Sequence, residues 1–279
     1  MRKLIVNADD LGISQEVNAQ IEEGILRGVI TSSTLIANAP AFEGGVRIAR
    51  QYPKISIGVH LNLMEFPPLT NVEIFKKHGV VGEDGCFIEG AMSCVQIDEE
   101  LKKAVYEEWD AQICKIESTG LVPTHCDSHQ HTHTILALQD VFCKVVNNHK
   151  ITKVRRKIVP SIRLMLRERK RPKIQLDKSK AMMPKKRNVF FRRLHLLSVI
   201  YSSRHWNRRM IKKYTMTNVF FPFNNFYYDR DVLSLGDGET VIELMCHPGH
   251  KAFQNETNNL LSSLSWLTEN YELISYKDL

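Results

Sequence analysis

The sequence predicts an α/β fold built on parallel strands, and three observations carry that prediction. Short β-rich apolar runs alternate with stretches whose apolar residues recur at helical spacing. Four of those runs end directly in a polar, chemistry-bearing cluster, the place where parallel strands gather reactive groups on one face. The 279 residues are 43 % apolar and 25 % charged, which is enough for a sizeable core and excludes a mainly disordered chain or a disulfide-stapled miniprotein. At this length the pattern leaves two architectures, a (β/α) barrel or an open doubly wound sheet.

Residues 3–8 read as the first strand, a short apolar run stopped by Asp9, Asp10 and Gly12. Ser14 then supplies a helix N-cap, Val17, Ile21, Ile25 and Leu26 recur at helical spacing, and Gly28 closes the helix. Residues 29–37 give a second strand, 41–51 a second helix, and 55–63 a third strand running into Pro67-Pro68. Residues 64–96 read as irregular, and a loop of that length inside a domain is more often functional than idle. Residues 98–119 make a strongly amphipathic helix through Leu101, Val105, Trp109, Ile113 and Ile116. A strand over 121–127, a helix over 133–148, a strand over 151–155 and helical stretches within 188–213 follow. A strand over 240–246, a helix over 256–270 and a closing strand over 271–276 complete the pattern. There is no internal repeat, so one domain over 1–279 is expected.

The net charge of +7 and pI near 9.0 describe neither part of an uneven chain. Residues 150–213 carry 23 basic side chains against Glu168 and Asp177, a balance of +21, while the remainder holds 15 basic and 29 acidic residues, a balance of −14. An acidic body therefore bears a basic insertion, placed at 156–213. Apolar residues such as Leu197, Ile200, Tyr201 and Trp206 interleave its charges. That pattern suits a solvated helical insertion on the rim. It also suits an interfacial helix docked on an anionic membrane surface or on the phosphates of a lipid-linked glycan. No nucleic-acid-binding motif accompanies the charge, so nucleic acid is not an expected partner. The first apolar run, Leu4-Ile5-Val6, is too short for a signal peptide, and no stretch is long enough to span a membrane. The six cysteines are scattered without a CxxC pair. A cytoplasmic protein with reduced thiols, docked at most on the inner membrane face, is expected.

The four clusters are Asp9-Asp10, His60, the HCDSHQHTH run over 125–133, and His247-Pro248-Gly249-His250. Any one alone has an ordinary explanation: an Asp-Asp pair after a strand is usually a turn or helix cap, and a lone strand-end histidine is usually a hydrogen-bonded loop residue. Four in the same topological place point to a site. Carboxylate and imidazole donors suit a single divalent ion, Zn²⁺ or, in a carboxylate-rich watery site, Mg²⁺. One aspartate and two histidines leave positions open for water and substrate, which leaves the second aspartate free as general base. His247 is placed to protonate a leaving amine. His125, Asp127 and His129 alternate, so they share one side if the strand continues. His129, nearest the strand end, is favoured as the ligand with His125 deeper as an orienting residue. The alternative reverses them, with His129 in the substrate pocket. His131 and His133 line the pocket or cap the next helix.

NADDLG (7–12), GVHLNL (58–63), THCDSHQHTH (124–133) and ELMCHPG (243–249) together resemble the YdjC/ChbG-type carbohydrate deacetylases, a family that includes hopanoid-associated deacetylases. The resemblance implies a distorted (β/α) barrel, a homodimer, and removal of an N-acetyl group from an N-acetylated sugar. Carried over by position, it implies Asp9 as general base, Asp10, His60 and His129 as metal ligands, and His247 as general acid or transition-state stabiliser. It also implies Arg155 near the substrate, where the residue pattern itself places His125 and His131 as further candidates. The long basic stretch after Arg155 departs from the family pattern. A phosphoesterase-like metal hydrolase, or a glycan- or membrane-surface binder without activity, are the other functions this pattern admits.

Overall fold

The chain is described by a computed structural model over residues 2–160, 189–231, 233, 235 and 239–279. Residues 161–188 of the predicted basic insertion lie outside the described residues. The strands are β1 (Arg2–Leu11), β2 (Ser32–Leu35), β3 (Ser56–Leu61), β4 (Cys126–Ser128), β5 (Val219–Pro222), β6 (Val241–Cys246) and β7 (Tyr271–Leu273). They pair in parallel in the order β4-β3-β2-β1-β6-β5, with β7 also on β1.

The sheet is organised on β1. Its Leu4, Ile5, Val6, Ala8 and Leu11 are all fully buried, the continuous apolar pattern of a parallel strand covered on both faces. One edge of β1 pairs with β6 from Lys3–Val241 to Ala8–Cys246. The other edge is shared: β7 takes Arg2 to Leu4, and β2 takes Asn7 to Leu11. Beyond β4, single bridges join Cys126 to Val154 and Lys153 to Thr215, and Thr215 lies in the run that enters β5. The sheet thus curls back toward its own far edge, which makes a distorted barrel rather than an open sheet. The predicted strand over 151–155 contributes only these bridges, and that weak stave is the distortion.

Around the sheet lie α1 (Gln15–Leu26), α2 (Phe42–Gln51), α3 (Val72–Lys77), α4 (Glu99–Ser118), α5 (Gln139–Asn148), α6 (Val189–Met210), α7 (Phe223–Asp229), α8 (Gln254–Leu261) and α9 (Leu264–Asn270). Ser14 caps α1 by accepting from the Val17 amide at 3.2 Å, and Asp98 caps α4 by accepting from Leu101 at 2.9 Å. The five apolar positions predicted for α4 are all fully buried. The strands predicted over 29–37 and 121–127 shorten to β2 and β4, and three helical regions also differ from expectation. The predicted helix over 133–148 begins as short 3₁₀ turns and becomes α-helical only at Gln139; the one over 256–270 breaks into α8 and α9 at Ser262-Ser263; and the irregular 64–96 region contains α3. The unpredicted β5 and α7 come from VFFPFNNFYYD, an aromatic run with neither a helical nor a strand period. In α6, Ser203, Trp206, Asn207 and Met210 face inward, whereas Leu197, Tyr201, Arg204 and Arg208 are exposed. Among the described residues no helix is long and apolar enough to cross a membrane. All six cysteines are free.

Gly58 on β3 has no room for a side chain. A Cβ there would come within 2.6–2.7 Å of three atoms of the fully buried His125 ring, which is itself stacked on Tyr276 at 3.7 Å. Gly58→Ala is therefore expected to destabilise the protein by about 1–3 kcal/mol through overpacking. A thermal melt should show the transition lowered by several degrees.

Candidate active site

The end of β1 carries the first structural device of the site. Its register with β2 slips between Ala8 and Leu11, placing one extra residue on β1, and Asp10 adopts φ +67°. Strict strand alternation would send Asp9 and Asp10 to opposite faces. The bulge instead brings both carboxylates into the barrel mouth, each 2 % exposed. Aspartate enters the left-handed region more readily than most residues, so the strain is modest for this side chain.

Asp10 lies between two histidines. Its Oδ1 is 2.8 Å from His129 Nδ1 and 3.3 Å from His60 Nε2. The parallel register of β3 and β4 sets His60 beside Asp127, and His60 Nδ1 donates to Asp127 Oδ1 at 2.6 Å. That bond turns Nε2 toward Asp10, the orientation that a carboxylate behind a metal-binding imidazole imposes. The three donor atoms lie within 4.8 Å of one another. One carboxylate and two imidazoles fit a divalent ion and leave coordination positions open. The charge balance agrees. Asp9, Asp10, Asp127 and Glu243 are all buried, with Arg155 as the cation among them. Burial opposes a charge on His60, yet the Asp127 carboxylate and hydrogen bonds to Asp10 and Asp127 push its pKa up to about 10. The pocket favours positive charge at that point. A second grouping, Asp9, His60 and Asp127, is closed to an ion because Arg155 Nη1 already lies 2.6 Å from Asp9 and 2.5 Å from Asp127.

Arg155 is fully buried and uses its whole fork. Nη1 and Nη2 donate to Asp9 Oδ2 and Oδ1 at 2.6 and 2.7 Å, and Nε donates to Glu243 Oε1 at 2.7 Å. Glu243 Oε2 accepts from the Tyr276 hydroxyl at 2.7 Å. Burial alone would raise the Asp9 pKa, but the Arg155 guanidinium holds it well below the usual carboxylate range. Asn7 Nδ2 adds a third donor to Asp9, at Oδ1, 2.9 Å away.

His247 enters from β6. Cys246 pairs with Ala8 as the last residue of β6, so His247 follows directly, near enough to Asp9 for its charge to be felt there. Its amide donates to Glu256 Oε1 at 2.7 Å, its Nδ1 is 3.4 Å from the same oxygen, and its ring stacks on Phe253 at 4.5 Å. Burial opposes protonation of His247, but Glu256 pushes its pKa up to about 9. His131 follows Gln130 in a left-handed turn (φ +49° and +58°) and meets Phe220 edge-on at 5.8 Å. Burial, then the charge on Arg155, press its pKa down to about 3, leaving a neutral ring.

The structure thus brings Asp9, Asp10, His60, His129 and Arg155 into one connected cluster, with His247 beside it. It does not bring His125 to that level. His125 is fully buried beneath the site, its Nε2 3.2 Å from Asn7 Oδ1. Asp127, Glu243, Glu256, Asn7 and Tyr276 belong to the network without having been singled out from the sequence. Glu243 did carry a signal, an acid inside the apolar run VIELMC, and Asp127 alternates with two histidines.

A family model described as YdjC-like protein matches residues 3–275. A carbohydrate deacetylase of Clostridium beijerinckii is 35 % identical over 154 residues, covering 53 % of this chain and 58 % of that protein. A carbohydrate deacetylase of Geobacillus stearothermophilus is 39 % identical over 132 residues, covering 47 % and 51 %. The chain thus spans just over half the length of the curated relatives it matches. The crystal structure of a proposed cellobiose-phosphate cleavage protein from Enterococcus faecalis V583 superposes with a TM-score of 0.64 at 23 % identity. That match covers 99 % of this chain and 98 % of that one, and shows the same fold.

Removing the Arg155 charge strands three buried carboxylates. Arg155→Met is expected to cost about 3–5 kcal/mol, the range for breaking a buried ion pair by deleting one partner. Urea denaturation at neutral pH measures it, and a loss under about 1 kcal/mol would contradict Arg155 as the hub of the network.

Proposed function

The chain belongs to the YdjC-like protein family, and from that premise we propose that it is a metal-dependent hydrolase removing the N-acetyl group from an N-acetylated sugar, oligosaccharide or lipid-linked glycan. The observation that carries the proposal is the juxtaposition of a three-donor cation site, Asp10, His60 and His129, with an ionised Asp9 locked by Arg155. The name carbohydrate deacetylase borne by the relatives supports the substrate class.

In this proposal a Zn²⁺- or Mg²⁺-class ion on Asp10, His60 and His129 supplies Lewis acidity to the amide carbonyl and lowers the pKa of a water. Asp9 takes the proton of that water as its oxygen adds to the carbonyl carbon. Asp9 Oδ1 already accepts from both Arg155 and Asn7, whereas Oδ2 accepts from Arg155 alone. Oδ2 is therefore the oxygen with a free lone pair for the proton. His247, kept protonated by Glu256, donates to the amide nitrogen as the C–N bond breaks, giving acetate and a free amine on the sugar. Arg155 is a positioning residue in this scheme, because its donors are taken by Asp9, Asp127 and Glu243. His131, a neutral ring beside Phe220, is proposed to line the sugar pocket. For the basic segment we keep docking on a phosphate-bearing lipid surface as a proposal, supported by the outward Leu197, Tyr201, Arg204 and Arg208 of α6.

Acetate release across a panel of N-acetylated sugars, with metal add-back, is the direct test; phosphate release from phosphoesters without acetate release would favour a phosphoesterase. Asp10→Ala and His129→Ala are expected to lose bound metal. Asp9→Asn is expected to retain metal while losing turnover by about 10²-fold or more, and undiminished acetate release would refute the assigned base. The pH profile tests the acid. A protonated His247 is present below its pKa of about 9, so kcat/KM should fall as pH rises through that value. Glu256→Gln should move this alkaline limb down toward the ordinary histidine value of about 6.5. A limb that stays in place assigns the titration to another group.

A further inference from the structure

A second set of metal-type donors lies on the outer side of α4, away from the barrel mouth. Asp110 and Cys114 stand one turn apart on that helix, so both project from the same face. His149 follows α5, at a turn that Lys150 makes with φ +55°. Its Nε2 is 3.0 Å from Asp110 Oδ1, and Cys114 Sγ is 3.9 Å from Asp110 Oδ2. One donor atom from each of the three lies within 4.8 Å of the other two. The remaining nitrogen of His149, Nδ1, is 3.0 Å from Glu117 Oε2, and the imidazole is only 7 % exposed. Cys114 lies at the solvent-open edge of the group.

We infer that Asp110, Cys114 and His149 form a second site, for a zinc-class divalent cation, separate from Asp10, His60 and His129. The inference does not depend on the deacetylase proposal. A thiolate, an imidazole and a carboxylate make a borderline-to-soft donor set, which selects Zn²⁺ over Mg²⁺ or Ca²⁺. Three protein ligands leave the fourth tetrahedral position to water on the open side. Glu117 completes the arrangement by holding Nδ1, the position of the carboxylate that orients a metal-binding imidazole, and Nε2 is directed at Asp110. An ion pair of His149 with the two carboxylates would use both ring nitrogens, but it gives no role to the thiol set one turn from Asp110. The other surface grouping, His78, Asp98 and Glu100, lacks a sulfur ligand, and its Asp98 is already engaged in capping α4. Binding forms a metal–sulfur bond and releases the Cys114 thiol proton to solvent, with no change of oxidation state. The ion would fasten α4 to the turn that leads into the Arg155 stave.

Cobalt(II) titration of the full chain, followed optically, tests the inference. Thiolate ligation gives a near-ultraviolet sulfur-to-cobalt charge-transfer band, and the Asp10, His60 and His129 set contains no sulfur. Two equivalents are expected to bind, one of them producing the band. Cys114→Ser and His149→Ala are each expected to abolish the band and remove one equivalent. Glu117→Gln, which leaves all three ligands, should weaken that equivalent about tenfold or more. If the barrel site binds no metal, a single equivalent carrying the band still establishes this one. No band in the unmodified chain, or a band that survives Cys114→Ser, overturns the inference.

Discussion

The burial of one guanidinium among three carboxylates is the constraint on which the rest of the site depends. Asp9, Asp127 and Glu243 come from β1, β4 and β6, and Arg155 reaches all three from the weakest stave of the barrel. Its backbone is fixed there by its amide, which donates to Cys126 O at 3.1 Å. Each carboxylate then does something further with its second oxygen or second lone pair. Asp127 orients His60, Glu243 accepts from Tyr276, and Asp9 keeps a lone pair on Oδ2, which accepts from Arg155 alone. A buried ion pair is weak ground for claiming net stability, since desolvation can exceed the Coulombic gain. Here the arrangement gains definition instead: it fixes the direction of Asp9 and, through Asp127, of His60.

Two backbone departures serve the same end. The β1 bulge at Asp10 and the left-handed pair Gln130-His131 both fall where a strand gives way to the mouth of the barrel. Regular geometry would have separated Asp9 from Asp10, and the left-handed pair ends the extended run just beyond His129. Such conformations cost free energy locally and persist where the surroundings over-determine them. Both flank residues of the cation site, so the strain and the chemistry share their positions.

Much of the architecture is legible in the residues because it rests on local rules. The cap at Ser14, the apolar stripe of α4 and the buried run of β1 each announce their element without reference to the rest of the chain. The curl of the sheet is not local: it depends on the bridges of Val154 to Cys126 and of Lys153 to Thr215, and although 151–155 reads as a strand, nothing in its pattern names those partners. The same division holds at the site. Residues at strand ends in chemical clusters can be found by their type and place, as Asp9, Asp10, His60, His129 and His247 are. The reach of Arg155 to Asp9 and Glu243 joins positions far apart in the chain, and no spacing rule encodes it. His125 is read correctly as the deeper histidine from its place along the strand, but its stacking on Tyr276, far away in the chain, is encoded by no local pattern.

The position of β1 has a consequence for how the protein is made. This strand occupies residues 2–11, yet its partners β6 and β7 occupy 241–246 and 271–273. During vectorial synthesis this strand precedes β6 and β7 and then waits, the edge that β6 will take unpaired, until nearly all of the remaining sequence has been translated. Pairings of such long sequence separation are slow to form, and an open apolar strand edge is a template for association with other chains. The nascent chain would spend that interval as a natural client for chaperones that shield extended apolar segments.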